Sequence, residues 1–194
     1  MNSKYNKRLF AYLFDFLLLF FVVMLISVLL PKGNISTLKN ELEIIEQSYL
    51  FNTIDQQTYL NETSLIMSKM FKENVLSIMI NIVFIILYFI VLPFINKGQT
   101  IGMKVLNIKI VNNKLETPSL NELVLRNIVT NGLGYLIIVL SIYYIIPKNI
   151  FFITISLLAI IQLLLVIISS FMIIYKKNRK GIQDLISNTK VIDC

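Results

Sequence analysis

The chain has 194 residues, 56% of them hydrophobic, with a mean hydropathy of +0.75 and a formal net charge of +7. That balance belongs to an integral membrane protein built as one unit, residues 1–194, and not to a water-soluble domain. There is no His, and the only Cys is Cys194, which excludes imidazole catalysis, His-held haem, an intrachain disulfide and a Cys/His zinc cluster.

Four apolar runs are long enough for a hydrocarbon core of about 30 Å, which needs about 20 residues. The first covers about residues 9–30 and stops at Pro31-Lys32-Gly33. It contains Asp15, is long for a signal peptide and lacks a small-residue cleavage site, so it reads as a retained helix. The second run covers about 75–95, the third about 128–146 and the fourth about 150–175. Pro147-Lys148-Asn149 makes an antiparallel hairpin of the last two. The expected fold is therefore an all-α polytopic membrane protein of four transmembrane helices.

Between the first two runs, residues 31–74 are too long for a bare connection. Leu38, Leu42, Ile45 and Tyr49 recur at helical spacing among Glu41, Glu43 and Glu46, which predicts an amphipathic helix. Thr53 to Gln56 and Asn61 to Ser64 read as turns or helix starts before a second amphipathic stretch. This external helical insertion has two readings: a hairpin lying on the bundle or membrane surface, or a lid that binds a protein partner.

In the loop 96–127, Leu106, Ile108 and Ile110 alternate with Val105, Asn107 and Lys109, a strand pattern that breaks at Asn112-Asn113. Ser119-Leu120-Asn121-Glu122 has the form of a capping box leading into the third helix. In the tail, 176–194, Thr189 to Ile192 is a second strand candidate. The two strands can pair as a small sheet on the cytoplasmic face. Lys and Arg cluster before the first helix, in the 96–127 loop and after the fourth helix. The positive-inside rule then places both termini in the cytoplasm.

The polar residues of the runs are the candidate site. Asp15 lies seven residues from Arg8, on nearly the same helix face but about 10 Å away along the axis, too far to pair. A carboxylate near a bilayer centre costs roughly 2.5–3.5 kcal/mol on insertion scales. It needs a partner from elsewhere or a job. Arg126, Asn127, Thr130 and Asn131 of the third helix, Asn81 and Tyr88 of the second, and Gln162, Ser169 and Ser170 of the fourth are on offer. Similar depth favours Asp15 with Arg126. Such a pair could simply fix helix packing, or Asp15 could hold a proton or cation, as buried ionisable groups in membranes do. Asn81, Tyr88 and Gln162 read singly as helix–helix glue.

Three segments resemble a known family. Lys7-Arg8-Leu9-Phe10-Ala11-Tyr12-Leu13-Phe14-Asp15 is the first. Gly98-Gln99-Thr100-Ile101-Gly102-Met103-Lys104, leading on to Arg126-Asn127, is the second. Arg179-Lys180-Gly181-Ile182-Gln183-Asp184 is the third. Their order is similar to the arginine-aspartate-aspartate pattern of the RDD membrane proteins, carried here by Arg8, Asp15 and Asp184. The likeness covers the first helix and everything from about Val75 onward. A His often precedes the last aspartate in that family; Gln183 stands there in this chain.

The resemblance implies a transport role, with sodium–proton exchange as its concrete form in some members. Arg8, Asp15, Asp184 and Arg126 become the functional charge cluster, with Asn81, Asn127, Asn131 and Thr100 in support. A second role is open to Asp184: an amphipathic tail segment of Ile182, Leu185 and Ile186 could tuck under the bundle, with Asp184 meeting Arg8 or Arg126.

The expected partners are the lipid bilayer, a monovalent cation or proton, further copies of the chain, and a protein at residues 31–74. No nucleic acid, metal or cofactor is expected, nor an enzyme, since the chain lacks a nucleophile–base pair. A bacterial plasma membrane is the expected location. The alternative to transport is a scaffold or assembly factor acting through the external insertion.

Overall fold

The structure is a computed structural model that describes residues 3–29 and 34–194. The stop expected at Pro31-Lys32-Gly33 lies outside those residues.

Helix α1, Tyr5–Leu29, is 25 residues long, about 37 Å at 1.5 Å per residue. Phe10, Phe14, Leu17, Phe21, Leu25 and Val28 form an exposed stripe along it. An exposed apolar face on a helix of this length suits lipid rather than water.

Helix α2, Ile35–Leu50, is the first arm of the insertion. Leu38 is buried and Leu42 and Ile45 half-buried, as the helical spacing predicts. A turn at 51–55 reverses the chain, and Tyr49 stacks on Tyr59 with ring centroids 4.5 Å apart. Asp55 then caps helix α3, Gln56–Ile86, by accepting the Thr58 N–H at 3.0 Å. The expected break at Asn61 to Ser64 does not occur. Thr63 and Ser64 are buried inside α3, where their small side chains allow close helix contact.

Helix α3 continues through a π-helical turn, Leu87–Val91, into α4, Leu92–Ile95. The whole rod spans 40 residues, about 60 Å. The second span and the insertion's second arm are thus one helix. Pro93 explains the π turn, because it cannot give the Phe89 carbonyl an α-helical N–H.

Thr100 caps α5, Ile101–Val105, by accepting from Met103 N at 3.2 Å. Strand β1, Ile108–Asn112, follows. It starts later than the alternation suggested, because residues 101–105 are helical. Ile108 and Ile110 are buried, as that pattern requires. Strand β2, Thr189–Asp193, pairs with β1 antiparallel, with Ile110 opposite Val191. The core gathers where this sheet meets the bundle, from Ala11, Ile90, Ile108, Ile110, Leu123, Leu133 and Val191.

The Ser119–Glu122 capping box forms as expected and starts α6, Leu120–Thr130. The third apolar run, however, is not one straight helix. α6 and α7, Leu133–Ile145, bend by 75° around Asn131 and Gly132. Gly132 takes φ +65, a left-handed conformation that favours glycine. Alone, the 13 residues of α7 reach about 20 Å, short of a bilayer core. Gln162 Nε2 satisfies the Val129 carbonyl at the break, at 2.7 Å.

A 3-10 turn, Lys148–Ile150, leads to α8, Phe151–Tyr175. The short helix α9, Ile182–Ile186, then runs into β2. Among the described residues three helices are long and apolar enough to cross a membrane, or four if the bent pair is one span.

Candidate functional site

The tail helix is turned the opposite way from a simple amphipathic tuck. Gln183 and Asp184 face inward and are buried, whereas Leu185 and Ile186 are about half exposed. Asp184 is fully buried and accepts from three directions. Arg8 Nη1 donates to Oδ2 at 2.8 Å, Arg126 Nη1 donates to Oδ1, and Gly181 N donates to Oδ2 at 3.0 Å. Burial pushes the Asp184 carboxyl up, but Arg126 and Arg8 beside it, with their hydrogen bonds, outweigh burial and hold it below the usual carboxylate range.

Both arginines also reach the sheet. Arg8 Nη2 donates to the Val191 carbonyl at 3.2 Å and Nε to Ser3 Oγ at 2.9 Å. Arg126 Nη1 donates to Thr189 Oγ1 at 3.1 Å. One carboxylate therefore ties α1, α6, α9 and β2 together. Gln183 contributes a second tie, since Ser169 Oγ of α8 donates to its Oε1.

Asp15 belongs to a separate cluster, and the expected Asp15–Arg126 pair is corrected by this geometry. Arg126 is taken by Asp184. Asp15 is 1% exposed and accepts from neutral donors: Tyr88 Oη at 2.5 Å and Gly102 N at 2.7 Å on Oδ1, and Thr100 Oγ1 at 2.5 Å on Oδ2. No Lys or Arg among the described residues forms an ion pair with it. The arrangement depends on Gly102. A Cβ there would lie 2.3 Å from the Ala11 carbonyl oxygen and 2.8 Å from Asp15 Oδ1, so only glycine lets α5 approach α1 this closely.

The supporting residues divide. Thr100 is in direct contact with Asp15. Asn127 Nδ2 donates to the Phe89 carbonyl at 3.0 Å, at the π turn, and to Leu123 O at 2.7 Å; its Oδ1 accepts from Asn131. Asn81 joins neither charge cluster. It lines a second cavity of about 340 Å³, together with Phe16, Leu19 and Phe84. A larger cavity of about 360 Å³ is lined by Arg8, Asp15, Arg126, Asn127 and Thr130. Tyr12, Phe89 and Asn131 border both, and Tyr12 stacks on Phe89 with centroids 6.4 Å apart.

Sequence reasoning missed Ser3 and Thr189 as partners of the arginines, and the role of Pro93. Pro93 was a legible signal, a helix breaker within an apolar run. Ser3 and Thr189 carried none, because only the fold brings them to Arg8 and Arg126.

The RDD family model matches residues 3–188. The chain belongs to the RDD family. Comparison with curated proteins and with solved structures finds no match. In this RDD chain the three residues of the pattern do not form one triad. Arg8 and Asp184 pair across the tail–helix junction, with Arg126 as a second guanidinium, while Asp15 anchors the Gly98–Lys104 segment to α1.

Proposed function

We propose that this RDD protein is a multi-pass membrane carrier, rather than an enzyme, that exchanges protons with monovalent cations at Asp15. The observation that carries the reading is the buried Asp15 carboxylate, held by hydroxyls and an amide with no cationic side chain paired to it. A buried charge that lacks a counter-charge is costly, and a proton or small cation supplies one. The Tyr88 and Thr100 hydroxyls suit both states: they donate to the bare carboxylate and can turn their lone pairs toward a cation. The two cavities share Tyr12, Phe89 and Asn131 as walls, and movement of those side chains would open a route past the site. The break between α6 and α7 beside it leaves helix-end carbonyls, which favour cations.

The membrane arrangement belongs to the same proposal. Ser3 N donates to Val191 O at 3.0 Å, so both ends of the described chain meet at the sheet. That supports four crossings, with the bent pair as the third, and the basic loops support a cytoplasmic sheet end in a bacterial plasma membrane. Four helices make a thin wall, so further copies of the chain would complete the pathway.

The test is flux into liposomes that hold a preset pH gradient and an internal pH dye, with pulses of sodium, potassium or lithium. Cation-dependent proton movement that disappears in a folded Asp15→Asn protein is the expected result. A folded wild-type protein inert toward every cation would falsify the exchange reading.

One observation favours a second reading, a scaffold acting through the insertion. Ile44, Leu50 and Phe51 on α2 and its turn are 63%, 75% and 77% exposed, which suits a protein partner or a membrane surface. Deletion of residues 34–72 should leave flux intact if the chain is a carrier, and should abolish function if it is a scaffold.

A further inference from the structure

The larger cavity holds a group that the Asp15 reading does not use. Arg126 is 6% exposed and lines that cavity. Its Nη1 serves Asp184 and Thr189. Its Nε and Nη2 have no protein partner among the described residues, which leaves three of the five N–H donors of a buried guanidinium without an acceptor from the protein. Neither nitrogen is sealed from solvent in the way that Thr63 Oγ1 and Ser64 Oγ are; both stay accessible where Arg126 lines the cavity, so a group seated there can accept from them.

The charges around Arg126 define that acceptor. Arg8 and Arg126 share one carboxylate, Asp184, so the cavity carries one positive charge in surplus whenever Asp15, the other acid on its wall, holds a proton. Asp15 also borders the cavity, but both of its oxygens are occupied by Tyr88, Thr100 and Gly102. The remaining walls are largely apolar, with Leu9 and Tyr12 of α1 facing Val166 and Ile173 of α8. Arg8 lies in the first turn of α1, where an arginine of a membrane helix sits at the phosphate level. A site with unsatisfied guanidinium donors, one surplus positive charge and apolar walls between two lipid-facing helices fits a monoanionic headgroup attached to a hydrocarbon chain.

We propose that this cavity binds the phosphodiester headgroup of an anionic membrane lipid, gripped by Arg126 with Arg8 beside it, and seats the start of an acyl chain between α1 and α8. Arginine suits this because its planar fork can give two parallel hydrogen bonds to phosphate oxygens. The proposal stands whether or not the chain carries ions. It makes the ligand part of the tail–helix junction, because the guanidinium that holds Asp184 also holds the lipid.

The test is native mass spectrometry of the full chain in detergent with short-chain phosphatidylglycerol, phosphatidylcholine of the same chain length, and inorganic phosphate as competitor. One phosphatidylglycerol should be retained, at least about tenfold over phosphatidylcholine. Arg126→Lys should lower that retention by about tenfold, because an ammonium keeps the charge and loses the fork. Val166→Phe, which fills the apolar wall and leaves the charge cluster alone, should lower it similarly with an unchanged unfolding profile. Equal retention of the two lipids, or wild-type retention in Val166→Phe, overturns the proposal even if Arg126→Lys fails to fold. Displacement of phosphatidylglycerol by inorganic phosphate at matching concentration also overturns it, in favour of a free anion.

Discussion

Gly102→Ala separates a structural requirement from an ordinary helical glycine. At an unstrained helical position, replacing Gly by Ala stabilises a protein by about 0.4–1 kcal/mol, through the unfolded chain. Here the added Cβ would sit 2.3 Å from the Ala11 carbonyl oxygen and 2.8–2.9 Å from the Asp15 carboxyl. The nearest obstacle is backbone of a long helix, so it cannot rotate away. Overpacking costs about 1–3 kcal/mol, and pushing α5 outward also weakens the Gly102 N–H bond to Asp15, a charge-assisted contact worth about 1.5–3 kcal/mol. The expected loss is roughly 3–5 kcal/mol, or on the order of 10 °C in melting temperature for a chain of this size. Thermal unfolding in detergent, followed by circular dichroism, measures it. A Gly102→Ala protein as stable as wild type, or more so, would refute the close packing of α5 on α1 and with it the account of Asp15.

Asp184→Asn should release the tail, because it strips two buried guanidiniums of their counter-charge; losing one partner of a buried pair costs about 3–5 kcal/mol. Limited proteolysis at Lys176, Lys177, Arg179 and Lys180 should accelerate, and an unchanged cleavage rate would remove Asp184 as the tie. The same carboxylate sets a pH dependence. Its folded-state value lies below the ordinary one, so its stabilisation is fully present above about pH 4 and fades as the pH falls through the lower folded value. Acid titration should therefore loosen the tail in wild type and have little further effect in Asp184→Asn. Asn127→Leu should destabilise by about 1–3 kcal/mol, because the Phe89 carbonyl beside Pro93 loses its amide donor; an unfolding curve identical to wild type would argue against that bond.

How much of this was legible beforehand depends on the range of the interaction. The apolar runs, the basic loops, the amphipathic α2, the Ser119 cap and both strands follow from local periodicity and composition, since lipid, water and backbone act on each residue where it stands. Asp15 and Arg8 stand out as charges in an apolar helix for the same reason. Partner choice was not local. Depth and charge made Arg126 the natural partner of Asp15, yet the turn at Thr100–Gly102 and Tyr88 of the second span bring three neutral donors to Asp15, and the tail brings Asp184 to Arg126.

The inward turn of Gln183 and Asp184, against the apolar Leu185 and Ile186, likewise depends on two guanidiniums contributed by α1 and α6. The bend at Asn131-Gly132 needed the side chain of Gln162 on another helix to satisfy the opened carbonyl. By itself the sequence determined that this is a membrane bundle carrying two acids and two arginines at its polar end. The sequence also offered Asp184 to Arg8 or Arg126; that Asp184 takes both and Asp15 neither was decided only by the tertiary structure, because donors and acceptors as far apart in the chain as Arg8 and Val191 become neighbours only once the helices, the sheet and the tail have packed.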